Sequence, residues 1–269
     1  ANKESLVAGG DVVLEAWRAG GGEILPVDSE HSAIHQCIGG RPRAEVKRLI
    51  LTASGGPFRE TPAAELARVR AADALRHPTW DMGAKITVDS ATLANKALEV
   101  IEAHLLFDMD FDDIDVLVHP SSIVHSFVEF RDGSTLAQLG LPTMELPLLY
   151  ALTAPERLAD GAAGAEPFDP IAAGPLEFEP VRRDAFPMFE LGVEAGRAGG
   201  TTPAAYSAAN EVAVAAFLRD EIGFPDVARA VEGVVSGWDF GAAASVPEVA
   251  EADAEARRRA RERVARLRR

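Results

Sequence analysis

The chain has 269 residues, of which 47% are hydrophobic and 26% charged, and its formal net charge is −15 at pH 7. This size allows a buried core and two modest domains. The acidic balance argues against a nucleic-acid partner, because phosphate backbones are bound by clustered Lys and Arg. Since no apolar run reaches about eighteen residues, we expect no membrane span. Cys37 is the only cysteine, which favours a reducing compartment, so we expect a cytoplasmic protein.

The first part of the chain predicts a helix over about 5–19 and a strand over about 23–27. Asp28 and Glu30 follow this strand directly. In an extended chain residues i and i+2 point to the same face, so the two carboxylates can approach one point. A solvated turn would show the same pair of acids.

The middle of the chain alternates predicted strands and helices. Strands are expected over Val46–Thr52, Lys85–Val88 and Ile114–His119, and helices over about 62–75 and about 91–107. This alternation predicts an α/β protein.

Later segments carry turn and helix signals. Asp132-Gly133 between Val124–Phe130 and Thr135–Leu139 predicts a hairpin. Pro- and Gly-rich sequence over about 154–180 predicts a linker. Helical patterns over Pro203–Arg219 and Val246–Arg268 predict a C-terminal bundle. The arginines near the end could bind RNA or a membrane surface, but they also fit the outer face of an amphipathic last helix.

The predicted helix over 91–107 carries further chemistry. Asp89 or Ser90 is expected to cap it, at a position where free N–H groups attract anions. Glu99 shares a helix face with Asn95 and Lys96. Lys96 and Glu99 could equally form a surface ion pair.

Three carboxylates, those of Asp28, Glu30 and Glu99, could form a metal site. If they were brought together without a cation they would repel one another. A hard divalent cation removes that conflict, and oxygen-only ligands favour Mg²⁺ or Mn²⁺.

A series of motifs runs through the chain in order. They are Ala1–Leu6, Val27–His31, Ser54–Glu60, His77–Gly83, Lys85–Thr92, Asn95-Lys96, His119-Pro120, Val124–Ser126 and Ala208–Glu211. Together these segments resemble the 1-deoxy-D-xylulose 5-phosphate reductoisomerase family.

The resemblance implies an enzyme that rearranges 1-deoxy-D-xylulose 5-phosphate and reduces it with NADPH to 2-C-methyl-D-erythritol 4-phosphate, with a divalent metal, in non-mevalonate isoprenoid synthesis. It implies metal ligation by Asp28, Glu30 and Glu99. It gives catalytic roles to Lys3, Glu30, His77 and Glu99. Substrate binding is implied for Lys3, Ser29, Glu30, Ser54, His77, Trp80, Ser90, Asn95, Lys96 and Glu99. NADPH contacts are implied for Asn2, Glu4 and Gly83, and Trp80 and Met82 would cover the substrate as part of a lid.

The resemblance also implies a domain organisation. We expect the end of an NADPH-binding Rossmann domain over 1–27, a metal- and substrate-binding α+β domain with a mixed sheet over 28–153, a linker over 154–183 and a helical bundle over 184–269. The family is usually a homodimer, and the predicted hairpin is the expected contact.

The Gly-rich dinucleotide loop of a Rossmann domain, G-x-G-x-x-G, does not occur in the sequence. We therefore expect the chain to lack most of the cofactor domain, which would leave it inactive alone. Two alternatives stay open: a metal-dependent phosphosugar lyase or isomerase without a redox step, and a non-catalytic substrate-binding fragment.

Overall fold

A computed structural model describes residues 3–159, 166–239 and 241–268. Its contacts divide the chain into two compact units that interleave in sequence. Unit 1 contains Glu23–Ser54 and Leu106–Val181, and unit 2 contains Asn2–Gly22, Gly55–Leu105 and Arg182–Arg269. The predicted segment 28–153 contributes to both units, and the domain boundaries proposed from the sequence stay predictions.

The described residues form these helices and strands. The helices are α1 (Lys3–Gly20), α2 (Ser29–Ile38), α3 (Ala71–Ala74), α4 (Ala84–Thr92), α5 (Ala94–Phe107), α6 (Glu145–Thr153), α7 (Pro170–Ala173), α8 (Pro187–Ala198), α9 (Thr202–Leu218), α10 (Phe224–Val235) and α11 (Val246–Leu267). The strands are β1 (Val46–Ala53), β2 (Ile114–Val118), β3 (Val124–Phe130), β4 (Thr135–Leu139) and β5 (Glu179–Pro180). Short 3₁₀ turns lie at Arg43–Glu45, Ala63–Arg68 and Phe111–Asp113.

Unit 1 is built on a mixed five-stranded sheet with the order β4-β3-β1-β2-β5. β1 and β2 are parallel, whereas the β1–β3, β3–β4 and β2–β5 pairs are antiparallel. Helix α2 packs against β1, β3 and β4 and buries Ala33, Ile34 and Cys37. The hairpin predicted around Asp132-Gly133 is confirmed as β3 and β4.

Unit 2 is helical. Helix α9 packs against α1, α8, α10 and α11, and most of its side chains are buried, including Tyr206 and Phe217. Alanines let neighbouring helices approach closely, which fits an alanine-rich central helix. The predicted C-terminal helices are confirmed, and so is the α/β class with a mixed sheet followed by a helical bundle.

Several predicted elements are wrong. Residues 23–27 form no strand, and Lys85–Val88 lies inside helix α4. The helix expected over about 62–75 is divided into a 3₁₀ turn and α3. The linker over 154–183 stays a prediction; its described residues include α7 and β5, and β5 joins the sheet. Among the described helices, none is both long and apolar enough to cross a membrane.

Candidate active site

A break between α4 and α5 shapes the candidate site in unit 2. Leu93 lies between the two helices with φ of 62°, a left-handed conformation that is uncommon for a branched residue. Its side chain is buried. The break gives the chain a second helix start at Ala94, so Asn95 and Lys96 lie in the first turn of α5.

Ser90 is not at the start of a helix, as the sequence had predicted, but in the last turn of α4. The backbone carbonyl of Ser90 accepts the amide of Leu93 at 3.2 Å. Ser90 therefore offers its hydroxyl rather than a free helix N-terminus. The helix start in this region is that of α5, where the dipole favours negative charge and the Ala94 amide donates to the Thr92 hydroxyl at 3.3 Å.

The carboxylate of Glu99 is the centre of a buried charge cluster. Glu99 is 1% exposed, and both Lys3 and Lys96 pair with it. The Lys3 Nζ lies 3.3 Å from Glu99 Oε1 and donates to Asn95 Oδ1 at 2.8 Å. Asn95 also donates to Glu99. The Lys96–Glu99 pair exists, but it is buried and is not the surface pair that the spacing also allowed.

His77 is held in one orientation by its own loop. The amides of Thr79 and Trp80 both donate to His77 Nδ1, at 3.1 and 2.8 Å. A nitrogen that accepts two amides carries no proton, so the ring is the neutral tautomer with hydrogen on Nε2. Burial lowers the pKa of His77, which agrees with the neutral form. His77 Nε2 lies 3.0 Å from Ser90 Oγ and donates to it.

The turn at Gly55-Gly56 approaches α4 at the same place. Gly56 has φ of +66°, and a Cβ on this residue would lie 2.8 Å from the Ser90 carbonyl oxygen. Two independent reasons therefore favour glycine at this position: the left-handed backbone conformation and the close approach to α4. The contact fixes the part of α4 that presents the Ser90 hydroxyl.

The loop before α4 contains the predicted lid residues. Trp80 is half-buried, and its amide takes part in the His77 contact described above. Gly83 is the N-cap of α4, and its carbonyl accepts the Thr87 hydroxyl at 2.9 Å. A lid role for Trp80 and Met82, and a cofactor contact at Gly83, stay predictions.

Unit 1 holds the other predicted acids at the start of α2. Asp28 is the N-cap residue, Glu30 lies in the first turn, and Ser29 Oγ donates to Glu30 Oε2 at 2.6 Å. The extended geometry expected for Asp28 and Glu30 is thus wrong, although both carboxylates lie where a helix dipole stabilises negative charge. Ser54 follows the end of β1 in the same unit.

Unit 2 therefore holds six of the predicted site residues in two contact groups, one around Glu99 and one formed by His77 and Ser90. The six are Lys3, His77, Ser90, Asn95, Lys96 and Glu99. Glu4 is in the first turn of α1, where it pairs with Lys85. Asn2 lies outside the described residues.

Sequence reasoning missed a second set of buried polar residues. Asp89 is 1% exposed, lies 2.8 Å from Lys85 Nζ and accepts Asn210 Nδ2 at 2.8 Å. Burial raises the pKa of Asp89 even though Lys85 and Asn210 favour its charged form. The i, i+4 spacing of Lys85 and Asp89 would have revealed the pair if this segment had been recognised as a helix.

Comparison with known proteins defines the class of these domains. Residues 24–107 match the family described as the 1-deoxy-D-xylulose 5-phosphate reductoisomerase C-terminal domain. Residues 139–259 match a DXP reductoisomerase C-terminal domain.

Individual relatives agree. The chain is 54% identical over 258 residues to a 1-deoxy-D-xylulose 5-phosphate reductoisomerase of a Synechococcus strain, covering 96% of this chain and 65% of the relative. It is 51% identical to the corresponding protein of a Geobacillus strain, covering 96% of this chain and 67% of the relative. A solved Zymomonas mobilis reductoisomerase in complex with NADPH matches with a TM-score of 0.92 and 44% identity, over 98% of this chain and 68% of that one.

The chain belongs to the 1-deoxy-D-xylulose 5-phosphate reductoisomerase family. It spans 65% of the length of the Synechococcus relative.

Proposed function

We propose that the protein acts in the conversion of 1-deoxy-D-xylulose 5-phosphate to 2-C-methyl-D-erythritol 4-phosphate, a step of non-mevalonate isoprenoid synthesis. The observation that carries the proposal is the buried cluster around Glu99, with Lys3, Asn95 and Lys96 held against it. Further support comes from a solved structure described as DOX-P reductoisomerase with NADPH, fosmidomycin and magnesium, which is 40% identical over 99% of this chain.

The acids of the chain fit a divalent metal. Asp28 and Glu30 of unit 1 and Glu99 of unit 2 are the proposed ligands, and all of their donor atoms are oxygens, as Mg²⁺ and Mn²⁺ prefer. When bound, the metal would supply a Lewis acid for the oxygens of a hydroxyketone, and NADPH would supply the hydride. The Ser29 hydroxyl donates to Glu30 and so orients that carboxylate.

The residues near the α4–α5 break fit a phosphate group. Ser90 and Asn95 offer a hydroxyl and an amide, Lys96 offers an ammonium group, and the start of α5 favours negative charge. We propose Ser54 as a further hydroxyl donor. Neutral His77 donates through Nε2, which orients the Ser90 hydroxyl so that its own proton can be given to a phosphate oxygen.

The remaining proposed roles follow the family. Lys3, already directed at Asn95 and Glu99, would contact the reacting part of the substrate. Trp80 would cover the substrate and exclude water. Asn2, Glu4 and Gly83 would contact NADPH.

Calorimetric titration with 1-deoxy-D-xylulose 5-phosphate, with and without Mn²⁺, tests the proposal on this chain. We expect metal-dependent binding that is lost in Glu99→Gln and kept in Glu251→Gln, a control on the exposed face of α11. Binding without metal dependence would contradict the metal site. Absence of binding under both conditions would contradict the substrate assignment.

Turnover needs a separate measurement, because the chain covers about two thirds of its relatives. We expect a chimera with the N-terminal third of the Geobacillus relative to oxidise NADPH when the substrate and Mn²⁺ are present. Conversion of the substrate without NADPH consumption would instead favour a lyase or isomerase.

We also propose that the protein is a cytoplasmic homodimer that associates through unit 1. Large apolar side chains are exposed there, including Leu152 at 84%, Ile171 at 91% and Phe178 at 45%. These side chains are the proposed contact, because burying exposed apolar groups between two subunits would favour association. Sedimentation should give a dimer mass for the native chain and a monomer mass when Leu152 and Ile171 are both replaced by Glu; an unchanged mass would place the contact elsewhere.

A further inference from the structure

A line of alternating charges connects the start of α1 to the C-terminal bundle within unit 2. The Lys85 Nζ lies 3.3 Å from Glu4 Oε1 and 2.8 Å from Asp89 Oδ2. Asn210 of α9 donates to the other oxygen of Asp89 at 2.8 Å. Asp89 and Asn210 are buried, whereas the Glu4 side chain is 40% exposed. The line thus has a fixed inner end and an exposed outer end.

The inner end of this line is the buried contact between Asp89 and Asn210. Asp89 sits in the last turns of α4, directly before Ser90, and Asn210 lies in the middle of α9. Asn210 is 0% exposed, and its Oδ1 has no hydrogen-bond partner among the described residues. The amide group of Asn210 donates to the buried Asp89 carboxylate and offsets part of its desolvation, so the contact fixes Asp89 against α9.

The outer end of the line is Glu4, which lies in the first turn of α1, before an interruption in that helix. Gly9 interrupts α1 with φ of −121° and ψ of 29°, so the first turns are not a rigid extension of the rest. Glu4 ties these turns to Lys85, and the adjacent Lys3 reaches Asn95 and Glu99. The position of the Lys3 ammonium therefore depends on where Glu4 is held.

We propose that Lys85 is a positioning residue, which acts through Glu4 to hold the start of α1 and thereby to place Lys3 in the substrate site. Asp89 and Asn210 fix Lys85 in turn. The inference rests on the proposed function, because it treats Lys3 as a substrate contact. It adds a role to Lys85, Asp89 and Asn210, none of which contacts the substrate in the proposed site.

Substrate affinity of this chain, measured by calorimetry with 1-deoxy-D-xylulose 5-phosphate and Mn²⁺, tests the proposal without NADPH. Glu4→Ala removes the ion pair between Glu4 and Lys85 and leaves the Lys85–Asp89 pair intact. We expect substrate affinity to fall about tenfold, the lower end of the loss seen when a residue that orients a metal ligand is removed. Glu15→Ala, an exposed acid on the same helix, is the matched control and should leave affinity unchanged.

A double-mutant cycle separates positioning from a general structural effect. If Lys85 acts through Glu4, Lys85→Met should weaken binding in the native chain and have no further effect in Glu4→Ala. Lys85→Arg should retain most of the affinity. If Lys85→Met fails to fold, the substrate affinity of Glu4→Ala, compared with that of Glu15→Ala, decides whether the positioning role holds.

The outcomes distinguish this inference from the function on which it rests. Unchanged affinity in Glu4→Ala, or additive losses in the double variant, would overturn the positioning role alone. Failure of the native chain to bind substrate would overturn the proposed function and this inference with it.

Discussion

Replacement of Gly56 by Ala tests how closely the Gly55-Gly56 turn must approach α4. Gly56 has φ of +66°, and the added Cβ would lie 2.8 Å from the Ser90 carbonyl oxygen and 3.0 Å from the Ala91 Cα. Both neighbours are backbone atoms, so neither can rotate away. The left-handed conformation costs about 1–2 kcal/mol for an L-residue and overpacking about 1–3 kcal/mol more, so we expect a loss of roughly 2–5 kcal/mol.

Gly21→Ala is the matched control for this prediction. Gly21 is in the same unit with φ of +65°, and no atom lies within 4 Å of its added Cβ. The control therefore carries the conformational cost alone, about 1–2 kcal/mol.

Urea unfolding followed by circular dichroism would give the two free energies of unfolding. Equal losses for the two variants would refute the close approach. The variant of Gly56 should also weaken substrate binding, because the backbone at Ser90 must move, whereas Gly21→Ala should not.

Two further predictions concern buried polar side chains. Tyr206 is buried and donates to the Met188 carbonyl at 2.9 Å, so Tyr206→Phe removes this hydrogen bond and should reduce the free energy of unfolding by about 0.5–1.5 kcal/mol in urea titrations. Because burial lowers the pKa of His77, the unfolded chain binds this proton more readily than the folded chain. The contribution of neutral His77 to stability is therefore complete above pH about 6.5 and declines as the pH falls below it. Unfolding at several pH values should show a shallower decline in His77→Gln, and identical pH profiles would contradict this reasoning.

Much of the fold could be predicted because local signals and tertiary structure agree. The hairpin has Asp132-Gly133 between two alternating strands, and α9 and α11 have long helical patterns. In these segments the periodicity, the turn residues and the final packing all favour the same structure.

The region around α4 could not be predicted for the opposite reason. Ile86, Thr87 and Val88 are β-branched and favour a strand locally, yet they lie in a helix whose burial outweighs that preference. The break at Leu93 has no glycine or proline to mark it, since packing holds a leucine at positive φ. The predicted position of Ser90 at a helix start was wrong as a direct consequence, because Ser90 lies in the last turn of α4.

The candidate site was easier to predict in its residues than in its geometry. The motifs identified Lys3, Asn95, Lys96 and Glu99, and unit 2 places their side chains in contact. The contacts of Asp89 and Asn210 join residues 121 positions apart in the sequence, and no local pattern connects them.

The interleaving of the two units has a consequence for synthesis of the chain. Helix α1 buries Leu6, Val7 and Leu14 and packs against α9, which begins roughly 180 residues after α1 ends. At about 5–20 residues per second, a ribosome needs on the order of ten to forty seconds to produce that stretch. During this interval the apolar face of α1 has no native partner from α9, so the nascent chain must be kept from aggregating until its C-terminal helices emerge.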